Sequence, residues 1–281
     1  MCFVGFFLGV AMLGCGNNSG RDSYAFDSGS GFSSDVPDME DTATPDSVTT
    51  TTTFTPTLFD GSVTSVVVEV DYAAEAEPAV SGPLTDSTWD LFEANAARLF
   101  EGVATVSIPK TLADMERMDS VIPGPYSTGE VMAISEANRD HFPSEGVATF
   151  HFLYLDGYAE ASDGSPDLNV VGFFIRGTSV VAIFKPMINN LALLEITRNF
   201  GEQTALIHEF GHAIGLVDIT VPPTSNHHDS PNGAHCTNDA CAMFHALEGP
   251  NDLVEFADKY ATSGTNVLFD EDCLADVDAL K

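Results

Sequence analysis

One short stretch restricts the fold of this chain more than any other. Residues 203–214 (QTALIHEFGHAI) are apolar nearly all round at helical spacing, through Leu206, Ile207, Phe210, Ala213 and Ile214. Such a helix belongs inside a core. It nevertheless carries His208, Glu209 and His212, groups that are costly to bury without a compensating partner. Asn199-Phe200-Gly201-Glu202 predicts a capping-box start just before it. Gly215 predicts a stop with positive φ just after it.

Residues 208–212 read His-Glu-Phe-Gly-His, an H-E-x-x-H spacing. Four residues are slightly more than one helical turn, so both imidazoles project from one face toward one point. Two neutral ring nitrogens there can bind Zn²⁺ and leave positions for a third ligand and a water. Glu209 is displaced about 100° around the helix from His208, so it borders the ion without ligating it. Zinc lowers the pKa of a bound water toward roughly 7, and a carboxylate so placed can take its proton as the water attacks a carbonyl. The candidate metal ligands are therefore His208 and His212, and the candidate general base is Glu209. The plainer reading is two helix histidines satisfied by other hydrogen bonds.

Around this segment the chain divides into three parts. Residues 1–14 are almost wholly apolar. They are too few for a spanning helix, which needs roughly 20, and suit the core of an export signal. Residues 15–59 are rich in Ser, Thr and Asp without apolar periodicity, and predict a solvated tether. Residues 60–281 predict one domain. Alternation at 63–72 predicts a strand. Residues 87–101 put Trp89, Phe92, Ala96 and Leu99 on one helical face, with Ser87 as N-cap. Residues 103–108, 146–155, 169–175 and 178–184 predict further strands, the last two a hairpin about Arg176-Gly177. Helices then dominate to the C-terminus. The expected class is α/β (α+β mixed) with a twisted mixed sheet. A hydrophobic content of 44% with 20 Phe is enough for such a core. Ten basic residues against 42 acidic ones give a net charge of −32. That argues against nucleic acid, whose binding by counterion release needs Lys and Arg, and against basic-patch docking on anionic headgroups.

Gly14 before Cys15, in Met12-Leu13-Gly14-Cys15, resembles the cleavage box of bacterial lipoproteins. The resemblance implies acylation of the Cys15 sulfur and an anchor in the cell envelope, on the outer membrane or cell surface. An ordinary cleaved signal, leaving a secreted protein, is the alternative. The string His208-Glu209-x-x-His212-x-x-Gly215 resembles the metzincin clan of zinc peptidases. In that clan the glycine lets a ligand three residues later reach the metal. Here that residue is Asp218, an acceptable zinc donor. The run His235-Cys236-x₄-Cys241-x-Met243 is similar to the archaemetzincin pattern, in which this histidine is the third ligand. Here the nineteen residues 216–234 intervene where that family has two. Pro222-Pro223 and Ser230-Pro231-Asn232-Gly233 predict a surface insertion. The third ligand is thus His235, or Asp218, or, from the insertion, His227 or His228. Met243 matches the Met-turn that lies beneath the metal in this clan. Archaemetzincins also end their motif in F-C-x-x-C, and four cysteines hold a second, structural zinc. Phe269-Asp270-x-x-Cys273 puts Asp270 in place of one cysteine. Cys236, Cys241, Asp270 and Cys273 therefore imply either a second, structural Zn²⁺ or a disulfide between cysteines.

The resemblance implies a metzincin-like domain with an active-site helix, in an exported, monomeric, lipid-anchored zinc metallopeptidase. Its substrate is a peptide or protein laid along a sheet edge, with 178–184 as that edge. Two other readings stay open. A gluzincin-type peptidase takes its third ligand from a downstream glutamate, Glu248 or Glu255. A non-catalytic zinc-binding surface lipoprotein keeps the metal without the chemistry, although such a module has no need of Glu209. His141 and His151 read as ordinary helix-end and strand residues, and His245, two residues beyond Met243 and so near the motif, is assigned no role.

Overall fold

The computed structural model describes residues 58–281, apart from 84, 192 and 193. The predicted export signal, Cys15 and the tether as far as residue 57 lie outside the described residues. Strand β1 (Ser65–Ala73) and strand β5 (Val147–Leu155) form the middle of the sheet. The sequence of β5, VATFHFLYL, is apolar on successive residues, as a strand covered on both faces requires. The two pair in parallel from Ser65↔Val147 to Tyr72↔Tyr154. Strand β9 (Val180–Phe184) continues the sheet in parallel on β5. Strand β8 (Gly172–Phe174) follows, antiparallel to β9. On the far side β1 pairs in parallel with β2 (Thr105–Ser107) near its start and with β3 (Glu116–Met118) near its end. A smaller sheet joins β4 (Gly124–Tyr126), β6 (Gly157–Glu160) and β7 (Pro166–Asp167). The class is mixed α/β with a mixed sheet.

The edge differs from expectation. Residues 178–184 do not form it: β9 is interior, and β8 lies outside it. The reversal at Gly177, φ 78°, lays the preceding strand on the outer side. The Ile175 N–H donates to the Val180 carbonyl at 3.0 Å and starts that pairing.

Helix α1 (Asp90–Leu99) buries Phe92, Ala96 and Leu99 along one face. Ser87 does not cap it. The helix begins after Trp89, itself in a helical conformation, and the Trp89 indole N–H holds the entry by donating to the Ala79 carbonyl at 3.1 Å. Helix α2 (Thr128–Asn138) was not predicted. Its signal is the capping box Ser127/Glu130, with both reciprocal bonds present. Little apolar stripe accompanies it, since only Val131 and Ser135 are buried.

A short α3 (Lys185–Asn189) leads to α4 (Glu195–Ala213), the long helix beneath which the sheet lies. It starts earlier than the predicted cap at Asn199. Ile196 and Phe200 extend its apolar spacing, and Thr197 Oγ1 donates to Asp258 Oδ1 at 2.8 Å on α5 (Pro250–Tyr260). Asn199 and Glu202 do other work. The Asn199 amide donates to the Ser81 carbonyl at 3.2 Å. Glu202 is buried, accepts the Ala79 N–H at 2.8 Å and pairs with Lys185. Helix α6 (Glu271–Asp278) closes the chain, capped by Asp270, whose Oδ1 accepts the Cys273 N–H at 2.9 Å.

The packed region runs slightly beyond the predicted boundary. Leu58 and Phe59 are buried, and the Phe59 ring stacks on Phe100 at 5.0 Å. The described residues belong to one compact unit. No helix among the described residues is long and apolar enough to cross a membrane.

Candidate metal centre

Helix α4 is fixed to the sheet by Phe210, the residue between the two histidines. It lies about 200° around the axis from both His208 and His212. Its ring meets Phe92 at 5.1 Å and Phe150 at 5.0 Å. Anchoring that face turns the imidazoles away from the sheet. The helix ends as the sequence predicts. Gly215 has φ +94°, and a Cβ there would overlap Thr220 Oγ1, so no other residue fits. Gly211 allows a second close approach: a Cβ on it would overlap Met243 Sδ and come within 3.2 Å of Phe269. Met243, fully buried, therefore lies directly under the helix between the two histidines.

Four donors come together here. His208, His212, His235 and Glu248 each offer a ligand atom within 4.8 Å of the others. His208 Nδ1–H donates to the Ala242 carbonyl at 2.6 Å, because a carbonyl can only accept. The neutral ring then presents a lone pair on Nε2, and His212 Nε2 lies 3.1 Å from it. His235 Nδ1–H likewise donates to the Asn232 carbonyl at 2.6 Å. Its buried Nε2 has no hydrogen bond of good geometry, although Glu248 Oε1 stands 3.2 Å away. A lone pair facing a carboxylate needs a proton or a cation between them. Burial, then His235, draws the His208 pKa down to about 4. Burial, then His208, puts His212 well below the usual value. Both are thus neutral and able to ligate. Burial also depresses His235, but the nearby Glu248 carboxylate outweighs it and leaves its pKa raised.

The structure separates the candidate third ligands. His235 stands with the helix pair. Residues 227–237 double back, with Asp229 N–H donating to the His235 carbonyl at 2.7 Å and Thr237 N–H to the His227 carbonyl at 2.8 Å. One 3₁₀ turn, Ser230–Asn232, and Gly233 at φ 83° make the reversal. Asp218 is outside the group. It follows a tight loop in which Val217 and Asp218 both have positive φ. Its carboxylate is 58% exposed and 3.7 Å from His228. His228, which also donates to the Gly233 carbonyl at 2.8 Å, is not in the group either. His227 lies elsewhere, paired with Asp276 at 2.7 Å. The segment 216–234 is also less superficial than predicted, since Leu216, Val217, Val221 and His227 are buried. Of the two glutamates considered, Glu248 joins the group and Glu255 does not. His245 is a neighbour, its ring 6.3 Å from His235.

Glu209 is buried beside these donors. Edge strand β8 passes over it, Glu209 Cγ lying 3.5 Å from where a Cβ of Gly172 would be. Burial and the Glu248 charge push its pKa up to about 8, against a backbone hydrogen bond from Phe174.

A second group adjoins the first. Cys236, Cys241, Asp270 and Cys273 converge within 4.8 Å. The three cysteines are buried and free, so the disulfide alternative is not formed. Cys241 and Cys273 sulfurs are 3.6 Å apart, close to the edge of about 3.8 Å in a tetrahedron with Zn–S near 2.3 Å. Backbone N–H groups point at the sulfurs, Asn238 at Cys236 and both Met243 and Asp270 at Cys241, each at 3.4 Å. Such donors favour the charged form, but at Cys241 burial and the hydrogen bond with Cys236 outweigh them and push its pKa well above the ordinary thiol value. Hydrogen bonds from Cys241 and Cys273 hold the Cys236 pKa far below the ordinary thiol value. His227 Nδ1 faces this group, 3.8 Å from Cys273 Sγ.

A third group escaped the sequence reading. Glu69, Asp71 and His151 meet in the interior. His151 is bonded at both nitrogens, to Ser135 Oγ and to Asp71 Oδ2, each at 2.8 Å. Glu69 accepts the Asp140 and His141 N–H groups at 2.6 and 2.8 Å. With these lone pairs already engaged, the donors do not suit a metal. Ser135 is 2% exposed, so no substrate reaches its hydroxyl. The network pins α2 to the sheet. Alternation would have placed Glu69, Asp71 and His151 on a shared sheet face, had β1 and β5 been known to pair.

No known protein family, no curated protein and no solved structure matches this chain. The groups of donors are therefore read from their own chemistry, and they suit a metal ion at the histidine group and at the cysteine group.

Proposed function

We propose that this chain is an exported zinc metallopeptidase of metzincin type. The observation that carries the reading is the meeting of His235 with His208 and His212 beside a buried Glu209. Three imidazoles converging on one point suit zinc. The carbonyls of Ala242 and Asn232 fix two of the rings in the tautomer whose Nε2 is free. A zinc ion held there supplies Lewis acidity toward water and toward a carbonyl oxygen. Glu209 takes a proton from the attacking water and returns it to the leaving amine. The Gly172–Phe174 edge offers a backbone to pair with an extended peptide. Cys236, Cys241 and Cys273, with Asp270, hold a second zinc that is structural. The apolar 1–14 run and Gly14-Cys15 support export with a lipid on Cys15.

The test measures zinc content and peptide cleavage, with and without a chelator, in the wild type and in Glu209→Gln. The variant is expected to keep its zinc and to lose roughly 10²–10⁴-fold in rate. Full activity in Glu209→Gln would sink the mechanism.

One observation favours a second reading. Glu248 stands where it makes the histidine group four-donor, and closed four-donor sites are structural. On that reading the chain is a zinc-binding surface module. Glu248→Gln separates the two: zinc retained at the histidine group supports the peptidase, and zinc lost supports the module.

A further inference from the structure

A pocket of about 220 Å³ opens between the 82–88 loop, the first turn of α1, the N-terminal half of α4 and the chain after α5. It is remote from the donors described above. Gln203, in its wall, lies about 140° around α4 from His208 and about 180° from His212. Its position on the helix directs it to the opposite side.

Two unsatisfied side chains border this one cavity. Gln203 is 1% exposed, yet neither its Oε1 nor its Nε2 has a hydrogen-bond partner. Ser87 Oγ is also buried and unpaired. Both line the pocket. A buried carboxamide without partners is destabilising and rare in folded proteins. Ser87 would be spent as a helix cap had α1 begun where its sequence suggests. Instead its hydroxyl is left facing the cavity with the amide.

The remaining wall narrows the class of occupant. Leu91, Ile196, Phe200 and Tyr260 make much of it apolar. Among the described residues Asp90 is the one charged residue in the lining, and its carboxylate is 2.9 Å from Lys110 Nζ. Nothing there attracts an anion. Drug-sized ligands occupy roughly 300–1,000 Å³, so this cavity fits something smaller. A glutamine amide offers one donor edge and one acceptor edge, which complement another amide.

We propose that this pocket is a second binding site, for a small neutral ligand that carries a carboxamide on a short apolar body. Gln203 Nε2–H donates to the ligand carbonyl, Gln203 Oε1 accepts its N–H, and Ser87 Oγ makes a third bond. The site is independent of the metal and of the peptidase reading.

The test is a titration of the full-length protein with N-acetylleucinamide, followed by the NMR signals of the Gln203 side-chain amide. A saturable shift of those signals is expected. Gln203→Leu is expected to weaken binding at least tenfold, and Ser87→Ala to weaken it measurably without touching α4. N-acetylleucine, with a carboxylate in place of the amide, is expected to bind at least tenfold more weakly. Because Gln203→Leu removes an unpaired buried group, its melting temperature should equal or exceed that of the wild type, which shows that lost binding is not lost folding. Absence of a saturable shift overturns the proposal. So does equal binding of the acid, equal binding by both variants, or a shift confined to the histidine group.

Discussion

At the scale of single residues, Gly211 couples the motif helix to the turn beneath it. The two unspecified positions of H-E-x-x-H are filled by Phe210, which grips the sheet, and by Gly211, which lets Met243 approach. Gly211→Ala should therefore destabilise the protein, although alanine is the better helix former by about 1 kcal/mol. Overpacking against Met243 and Phe269 costs about 1–3 kcal/mol, so the expected net effect is a lower denaturation midpoint and weaker metal retention at the histidine group. A midpoint equal to or above the wild type would show that Met243 does not press on the helix. The spacing of His208, Glu209 and His212 was legible in sequence because it is local to one helical turn. Asp218, the candidate third ligand nearest in sequence, is not in the group of donors. Positive φ at Val217 and Asp218 folds that loop back on Gly215 and leaves the carboxylate facing His228 in solvent.

At the scale of elements, α4 shows how a correct motif can sit on a misjudged helix. Asn199 and Glu202 look like a cap because their spacing fits one. In the fold they are mid-helix, and Glu202 is consumed by a buried pair with Lys185 on α3 and by the Ala79 N–H. Removing one member of such a pair strands the other charge. Lys185→Met should cost about 3–5 kcal/mol, read as a shift in urea midpoint. The double variant Lys185→Met/Glu202→Gln should recover much of that loss. If the single variant were neutral, Glu202 would not be carrying a buried charge. The strands were legible where burial makes them near-continuous or alternating, as in β1 and β5. The edge was not, because strand order is a property of the sheet: 169–175 and 178–184 both read as strands of one hairpin, and neither says which of them lies outside.

At the scale of the whole molecule, the histidine and cysteine groups share one piece of chain. His235 and Cys236 are adjacent, the Cys236 N–H donates to the Met243 carbonyl at 2.8 Å, and the Ala242 carbonyl orients His208. Loosening the cysteine group should loosen the ring that His208 presents. The proposed stoichiometry is two zinc ions per chain, measured on protein equilibrated with the metal. Cys273→Ser should reduce it below two and also weaken retention at the histidine group, whereas His208→Ala should leave the metal binding of the cysteine group in place. A wild-type stoichiometry of one would remove the second site. Chelation should lower the melting temperature of the wild type, since a ligand bound to the native state alone stabilises it.

What the sequence determined by itself was local. Helical periodicity put two imidazoles and a carboxylate on one buried helix, positive φ at Gly215 ended it, and apolar patterning set the mixed α/β class. What only the tertiary structure decided was every relation between distant segments. It seated His235 with the α4 pair and added Glu248. It gathered Cys236, Cys241, Asp270 and Cys273 as free donors, and it left Gln203 and Ser87 facing one cavity. The physical reason is range. Backbone geometry relates residues a few positions apart directly, but it does not say which distant loops will close together. That depends on how the sheet, α4 and the 227–243 segment pack, and the same residues would have read alike had they packed otherwise.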